Sequence, residues 1–128
     1  MKTFITARME QSEIDRLSAA GFKVEQGGFA LTGQKMAKDE LISKLADIEV
    51  AIIEFESMSD EVINSAKSLK IIAACRNEPA ANTDIDAATA KGIPVLFTPG
   101  RNAVAVAEYT LGLMISIARS IPTTHHLL

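Results

Sequence analysis

The sequence predicts an α/β fold, a flavodoxin-like doubly wound five-stranded parallel sheet with helices on both faces. Three observations lead there. Short apolar runs alternate with amphipathic stretches of helical period along the chain. Several of those stretches open on Ser, Thr, Asp or Asn and close on glycine. The 128 residues, 48% hydrophobic and 23% charged, suffice for one domain with a real core.

The strands are expected near residues 3–7, 22–25, 50–54, 71–75 and 94–97. Between the first two, Ser12 is expected to cap a helix bearing Ile14 and Leu17, with Asp15 as a weak capping box and Gly21 as the stop. Gly27-Gly28 reads as a turn and nothing more. Leu41, Ile42 and Leu45 form the stripe of a second short helix. Ser59 caps a third, with Val62, Ile63, Ala66 and Leu69 facing inward and Met58 placed to staple onto Ile63. Thr83 and Asp84 open a fourth that Gly92 closes, and a long helix from about Ala103 is expected to end near Pro122. Strands and helices then alternate strictly, and ligands are expected outside the carboxyl ends of the strands.

The formal charge of -3 is spread without a basic cluster, so no nucleic acid partner is expected. The single cysteine, Cys75, lies in an apolar run and reads as a buried thiol in a reducing compartment, the cytoplasm. The N-terminal MKTFITARMEQSE has too short an apolar run for a secretory signal. Residues 103–121 are apolar enough to raise a membrane span, but Glu108 would lie in hydrocarbon at a cost of about 3 kcal/mol. A buried helix is the better reading, and no membrane partner is expected.

Two loops can carry chemistry. After the fourth strand comes Arg76-Asn77-Glu78-Pro79-Ala80-Ala81-Asn82, in which Arg76 offers a fork of donors suited to a carboxylate or phosphate. Exposed backbone amides here can hold an anion, whereas the plainer alternative has Arg76 paired with Glu78. After the fifth strand, Thr98-Pro99-Gly100-Arg101-Asn102 places Asn102 as an N-cap, with a helix N-terminus suited to an anion or polarised carbonyl behind it.

From Ile71 onward the sequence IIAACRNEPAANTDIDAATAKGIPVLFTPGRNAVAVAEYTLGLMISIARSIP resembles the D-isomer-specific 2-hydroxyacid dehydrogenases, the family containing phosphoglycerate dehydrogenases. NTDIDAATAKGIPV followed by TPGRNAVAVAEYTLGL is its specific part. Before Ile71 the likeness is architectural. The family's commoner loop is rich in glycine where this chain has Asn77, Glu78 and Pro79, and the sequence is more similar to a branch with a Cys-Arg-Gly-Gly-Pro type of loop.

The resemblance implies that residues 1–122 form the substrate-binding, so-called catalytic, domain and that residues 123–128 begin the connection to an NAD-binding domain. It implies a hydride transfer between NAD or NADP, held mainly by that other domain, and a small D-2-hydroxy or 2-keto acid. The carboxylate would be held largely by backbone N–H groups, which makes Arg76, Asn77, Glu78, Pro79 and Asn102 the expected substrate-binding residues. Asn102 and Val106 are expected against the cofactor. No catalytic residue is expected in this chain, because the family's polarising arginine and acid-base histidine lie farther along, and the chain alone is expected to be inactive. Glu108 reads as an anchor to a neighbouring domain, His125 and His126 as solvated tail residues, and the long helix as part of a homodimer interface.

The glycines at 21, 27, 28, 33, 92, 100 and 112 never form G-x-G-x-x-G, and no spaced Cys and His ligands suggest zinc, so no metal is expected. The alternative is a non-enzymatic flavodoxin-like binding or dimerisation module. A signalling receiver fits less well, having an aspartate where the third strand here ends in Glu54, with only Glu56 near.

Overall fold

The computed structural model describes the backbone of residues 1–127 and the side chains of residues 1–125. Strands β1 (Lys2–Ile5), β2 (Lys23–Gln26), β3 (Val50–Ile53), β4 (Ile71–Ala74) and β5 (Val95–Phe97) form one parallel sheet in the order β2-β1-β3-β4-β5. The register sets Thr3 beside Val24 and Val50, Ala51 beside Ile72, and Ala73 beside Leu96. The chain winds one way from β1 to β2 and the other way from β3 to β5, which is the predicted doubly wound order.

Helices α3 (Lys38–Leu45), α4 (Asp60–Ser65) and α5 (Ile85–Ala90) cover one face. There Phe4, Ala51, Ile53, Ile72 and Ala74 of the sheet share a core with Leu41, Leu45, Val62, Ile63 and Ala88. Each fully buried Leu, Ile or Phe contributes roughly 1.5–3 kcal/mol. Helix α1 (Gln11–Ala19) covers the other face through Ile14, over buried Thr3, Ile5 and Val50. Towards β5 that second face opens: Ile71 and Ala73 are half-buried and Leu96 is 58% exposed.

Several boundaries follow their signals. Gly21 stops α1 at φ +88°, where only glycine is relaxed, with Phe22 N–H donating to the Leu17 carbonyl at 3.1 Å. Ser59 Oγ accepts from Val62 N–H at 3.4 Å, and Asp84 Oδ1 from Ala87 N–H at 2.9 Å.

Others differ. Ser12 is not a cap: the helix starts at Gln11 behind Glu10, which makes no side-chain cap bond, and Asp15 accepts from Gln11 Nε2 at 2.8 Å instead of closing a capping box. Helix α4 stops at Ser65, short of Leu69, because Lys91 Nζ donates to the carbonyls of Ile63 and Asn64 at 2.7 and 3.3 Å and the chain turns away at Ala66. Leu69 is still buried.

A short helix α2 (Phe29–Thr32) follows Gly27-Gly28, so β2 and β3 are joined by two helices and strict alternation fails. The long helix α6 (Ala103–Ala118) ends before Pro122, the chain turns at Ser120 with φ 50°, and α7 (Ile121–Leu127) follows. Pro122 sits in the first turn of α7, where its missing N–H costs nothing. His125 therefore lies in a helix rather than a frayed tail, and the His126 side chain falls outside the described residues. No helix among the described residues is long and apolar enough to cross a membrane.

Candidate functional site

The carboxyl ends of all five strands send out segments whose residues join in a closed ring of contacts. Arg8 follows β1; its backbone N–H donates to Glu54 Oε2, just beyond β3, at 3.3 Å. Glu54 Oε1 in turn pairs with Arg101 of the loop after β5 at 2.9 Å. The neighbouring Asn102 Oδ1 accepts from Asn77 Nδ2, in the loop after β4, at 2.9 Å. Arg76, one residue earlier, stacks its guanidinium 4.8 Å from the Phe55 ring centroid. Phe55 meets Phe29 at 4.3 Å between centroids, tilted 59°, and Arg8 closes the ring by lying 4.8 Å over Phe29.

The expected substrate-binding residues are thus brought to one edge, with differences in how they are held. Arg76 does not pair with Glu78; it stacks on Phe55, and its buried Nε has no acceptor. Asn102 precedes α6 but its side chain makes no cap bond, being turned to Asn77, while its carbonyl accepts the Val106 N–H at 2.9 Å. Val106 is 54% exposed on the first turn of α6. Pro79 starts a 3₁₀ turn, Pro79–Ala81, and Asn77 and Glu78 are exposed. The amide N–H groups of Asn77 and Glu78 have no acceptor among the described residues.

That loop is fastened from below. Asn82 Nδ2 donates to the carbonyls of Glu54 and Glu56 at 3.1 and 3.0 Å, and Met58 N–H donates to the Asn82 carbonyl at 2.8 Å. The unpaired Asn77 and Glu78 amides therefore stand on a fixed frame, beside the Arg76 guanidinium whose Nε is buried. Donors already held in place lose little freedom when an anion arrives.

Four residues of this edge, Arg8, Phe29, Phe55 and Glu56, are not marked as site residues by the sequence. Glu56 is completely buried. Its carboxyl oxygens accept from Thr6 Oγ1 at 2.5 Å, Phe29 N–H at 3.1 Å and Met36 N–H at 3.4 Å, which satisfies a group that would otherwise be costly to bury. Gly27-Gly28 is more than a turn. A Cβ on Gly27 would sit 2.7 Å from the Phe4 ring, and one on Gly28, at φ +55°, 2.6 Å from Glu56 Oε1. The one signal for these residues is the run Glu54-Phe55-Glu56 directly after a buried strand, at the edge where ligands bind.

Cys75 lies beside this ring, half-buried. Burial first, and the Glu54 carboxylate second, push its thiol above the ordinary value, with Arg101 opposing. A cleft of about 430 Å³ opens at the opposite, amino end of the strands, lined by Lys2, Asp47, Glu49, Lys67 and Lys70. Four of its five charges pair with one another, Lys2 with Asp47 and Lys70 with Glu49.

The described residues do not fit a whole dinucleotide. Gly27-Gly28 do lead from β2 into α2, but that helix is a single turn and the space beside the two glycines is filled by the Phe4 ring and the Glu56 carboxyl, while Gly21, Gly33, Gly92 and Gly100 are scattered through the fold. Glu108 is exposed on α6 and forms no ion pair among the described residues. No group of three metal-binding side chains occurs among them.

Residues 3–123 match the family described as D-isomer specific 2-hydroxyacid dehydrogenase, catalytic domain. The chain is 36% identical over 123 residues to a D-3-phosphoglycerate dehydrogenase of Archaeoglobus fulgidus, covering 95% of this chain and 22% of the relative. With the enzyme of the same name from Sus scrofa it shares 37% over 101 residues, 77% of this chain and 19% of the relative. Among solved structures, a Thermus thermophilus protein superposes with a TM-score of 0.80 at 31% identity, over 94% of this chain and 38% of that one. The NAD+-bound 3-phosphoglycerate dehydrogenase of Entamoeba histolytica gives 0.75 at 26% identity, over 91% and 38%. The chain thus spans about a fifth of the length of these sequence relatives. With a family match over nearly its whole length, the chain belongs to the D-isomer-specific 2-hydroxyacid dehydrogenases.

Proposed function

We propose that this chain is the substrate-binding part of an oxidoreductase that passes a hydride between NAD or NADP and a small D-2-hydroxy or 2-keto acid. The observation that carries this is the pair of unpaired donors, the Asn77 and Glu78 amides, fixed at the carboxyl edge of the sheet beside the charge of Arg76. They would hold the acid's carboxylate, Asn102 would orient the reacting carbon, and Val106 would contact the nicotinamide. The cofactor supplies the hydride chemistry when bound. Its phosphates would be held by residues outside this chain, as would the arginine and histidine that polarise the keto oxygen and move the proton. Residues 1–122 would form this domain and 123–128 would lead onward from it. A cytoplasmic location accords with the same reading.

Helix α6 supports an association with a second copy. Val104, Tyr109, Leu111, Met114, Ile115 and Ile117 are each at least 59% exposed, on more than one side of the helix. An apolar helix of this kind needs cover on its open faces. Light scattering on the chain is expected to report a dimer or larger species.

Calorimetry with D-lactate and with its methyl ester tests the binding role. The acid is expected to bind and the ester not, and Arg76→Gln to weaken the acid about tenfold, the worth of one charge-assisted hydrogen bond. Equal behaviour of acid and ester would count against it.

A further inference from the structure

Resting on the association of α6 proposed above, we propose that α6 of one copy docks on the open second face of another copy's sheet, and that two copies exchange these helices reciprocally. The receiving surface is the part of that face which α1 leaves bare. The register sets Ile52 of β3 beside Ala73 of β4, and Ala73 beside Leu96 of β5, while Ile71 shares the face two residues before Ala73. Ile52, Ile71 and Ala73 are half-buried and Leu96 is 58% exposed, so the strip is apolar, continuous and free of charge. Beside α1 it deepens into a groove of about 330 Å³, lined by Ile52 with Met9, Leu17 and Ala20 and by Glu13 and Arg16, which pair with each other. From β3 to β5 is two strand spacings, about 10 Å. That is about the width of one helix.

The occupant has matching dimensions. The bonds of Arg101 to Glu54 and of Asn102 to Asn77 fix where α6 leaves the domain, and from there it runs clear of its own sheet with its apolar side chains exposed. At 100° per residue Val104, Leu111, Ile115 and Ala118 fall within about 60° of one another, a single stripe. Val106 lies on the far side of the helix, so covering this stripe leaves it free for the proposed cofactor contact. From Leu111 to Ala118 the stripe runs about 11 Å. The four-residue strands β3 and β4 that would receive it run about 13 Å. The area also calls for a partner. The chain exposes 8156 Å², against about 6,600 Å² for a folded monomer of its mass. The excess of about 1,500 Å² is more than the ~800 Å² that each partner contributes to a standard interface. Exchange covers both open surfaces in both copies and closes the pair about a two-fold axis.

The test measures self-association of the chain by analytical ultracentrifugation, for wild type and for Leu96→Glu, Ile115→Glu and Leu31→Glu. Isotope-filtered NMR on a mixture of labelled and unlabelled wild type reports contacts between copies. Leu96→Glu and Ile115→Glu are each expected to weaken the pair about tenfold or more, because a charge would be buried against apolar surface. Leu96 is exposed in the single copy, so its replacement should leave the fold and its circular dichroism intact. Leu31→Glu, at an exposed apolar side chain of α2, should leave association unchanged. In wild type, NOEs are expected from Leu111 and Ile115 of one copy to Ile71 and Leu96 of the other. If the pair persists undiminished in Leu96→Glu, or no NOE between copies reaches the sheet, the exchange falls and the association of α6 stands. If the wild-type chain is a monomer, with α6 folded back on its own sheet or not, both fall. The acid-binding role is then untouched, since the D-lactate titration decides it separately.

Discussion

Asn77 Nδ2 donates to Asn102 Oδ1 at 2.9 Å, tying the loop after β4 to the residue that precedes α6. Because that oxygen is committed to Asn77, it does not cap the helix. The two loops that the sequence marks for substrate and cofactor are held to each other instead, by this bond and by the Thr98 N–H donating to the Arg76 carbonyl at 3.1 Å.

Asn102→Ala is therefore expected to cost about 0.5 kcal/mol or less in urea unfolding, the worth of an exposed hydrogen bond, rather than the ~1 kcal/mol of a lost cap. A loss of a full cap's worth would show that the side chain caps α6 in solution.

Glu56 is expected to matter far more. Glu56→Leu strands the Thr6 hydroxyl and the Phe29 and Met36 amides, at roughly 1–3 kcal/mol for each group left unsatisfied, while Glu56→Gln keeps an acceptor and should cost about 1 kcal/mol. Gly28→Ala should also destabilise by about 2 kcal/mol, since its Cβ would press on Glu56 Oε1 at positive φ. Thermal unfolding of the three variants checks the order, and a neutral Glu56→Leu would contradict it.

The contrast between these residues explains what could be read from sequence. The caps at Ser59 and Asp84 and the stops at Gly21 and Gly92 are local chemistry, each settled within a few residues. Glu56 is not local: its donors come from residues 6, 29 and 36, and only the fold brings them together. The same holds for the early end of α4, set by Lys91 from the far side of β4, and for the contact of Phe29 with Phe55. Arg76, Asn77 and Asn102 could be found because they follow strands on the ligand-binding edge. Arg8 follows a strand too, but its contact is with a ring contributed by α2, a helix the Gly27-Gly28 pair concealed.

Cys75 should alkylate slowly at neutral pH. Its raised pKa leaves the thiol protonated there, so the rate should keep rising as pH passes above the ordinary thiol value, the thiolate being the reactive form. Glu54→Gln removes one of the two causes and should speed iodoacetamide reaction at pH 8 by about threefold. An unchanged rate would mean that burial alone sets this thiol.

The proposed site for an acid is the carboxyl edge of the sheet, and not the charged cleft at its amino end. An NMR titration of the labelled chain with D-lactate distinguishes the two. Shifts are expected at the amides of Asn77 and Glu78, with Lys67–Lys70 unmoved. Shifts confined to the Lys2, Asp47 and Lys67–Lys70 cleft, or none anywhere, would overturn that assignment.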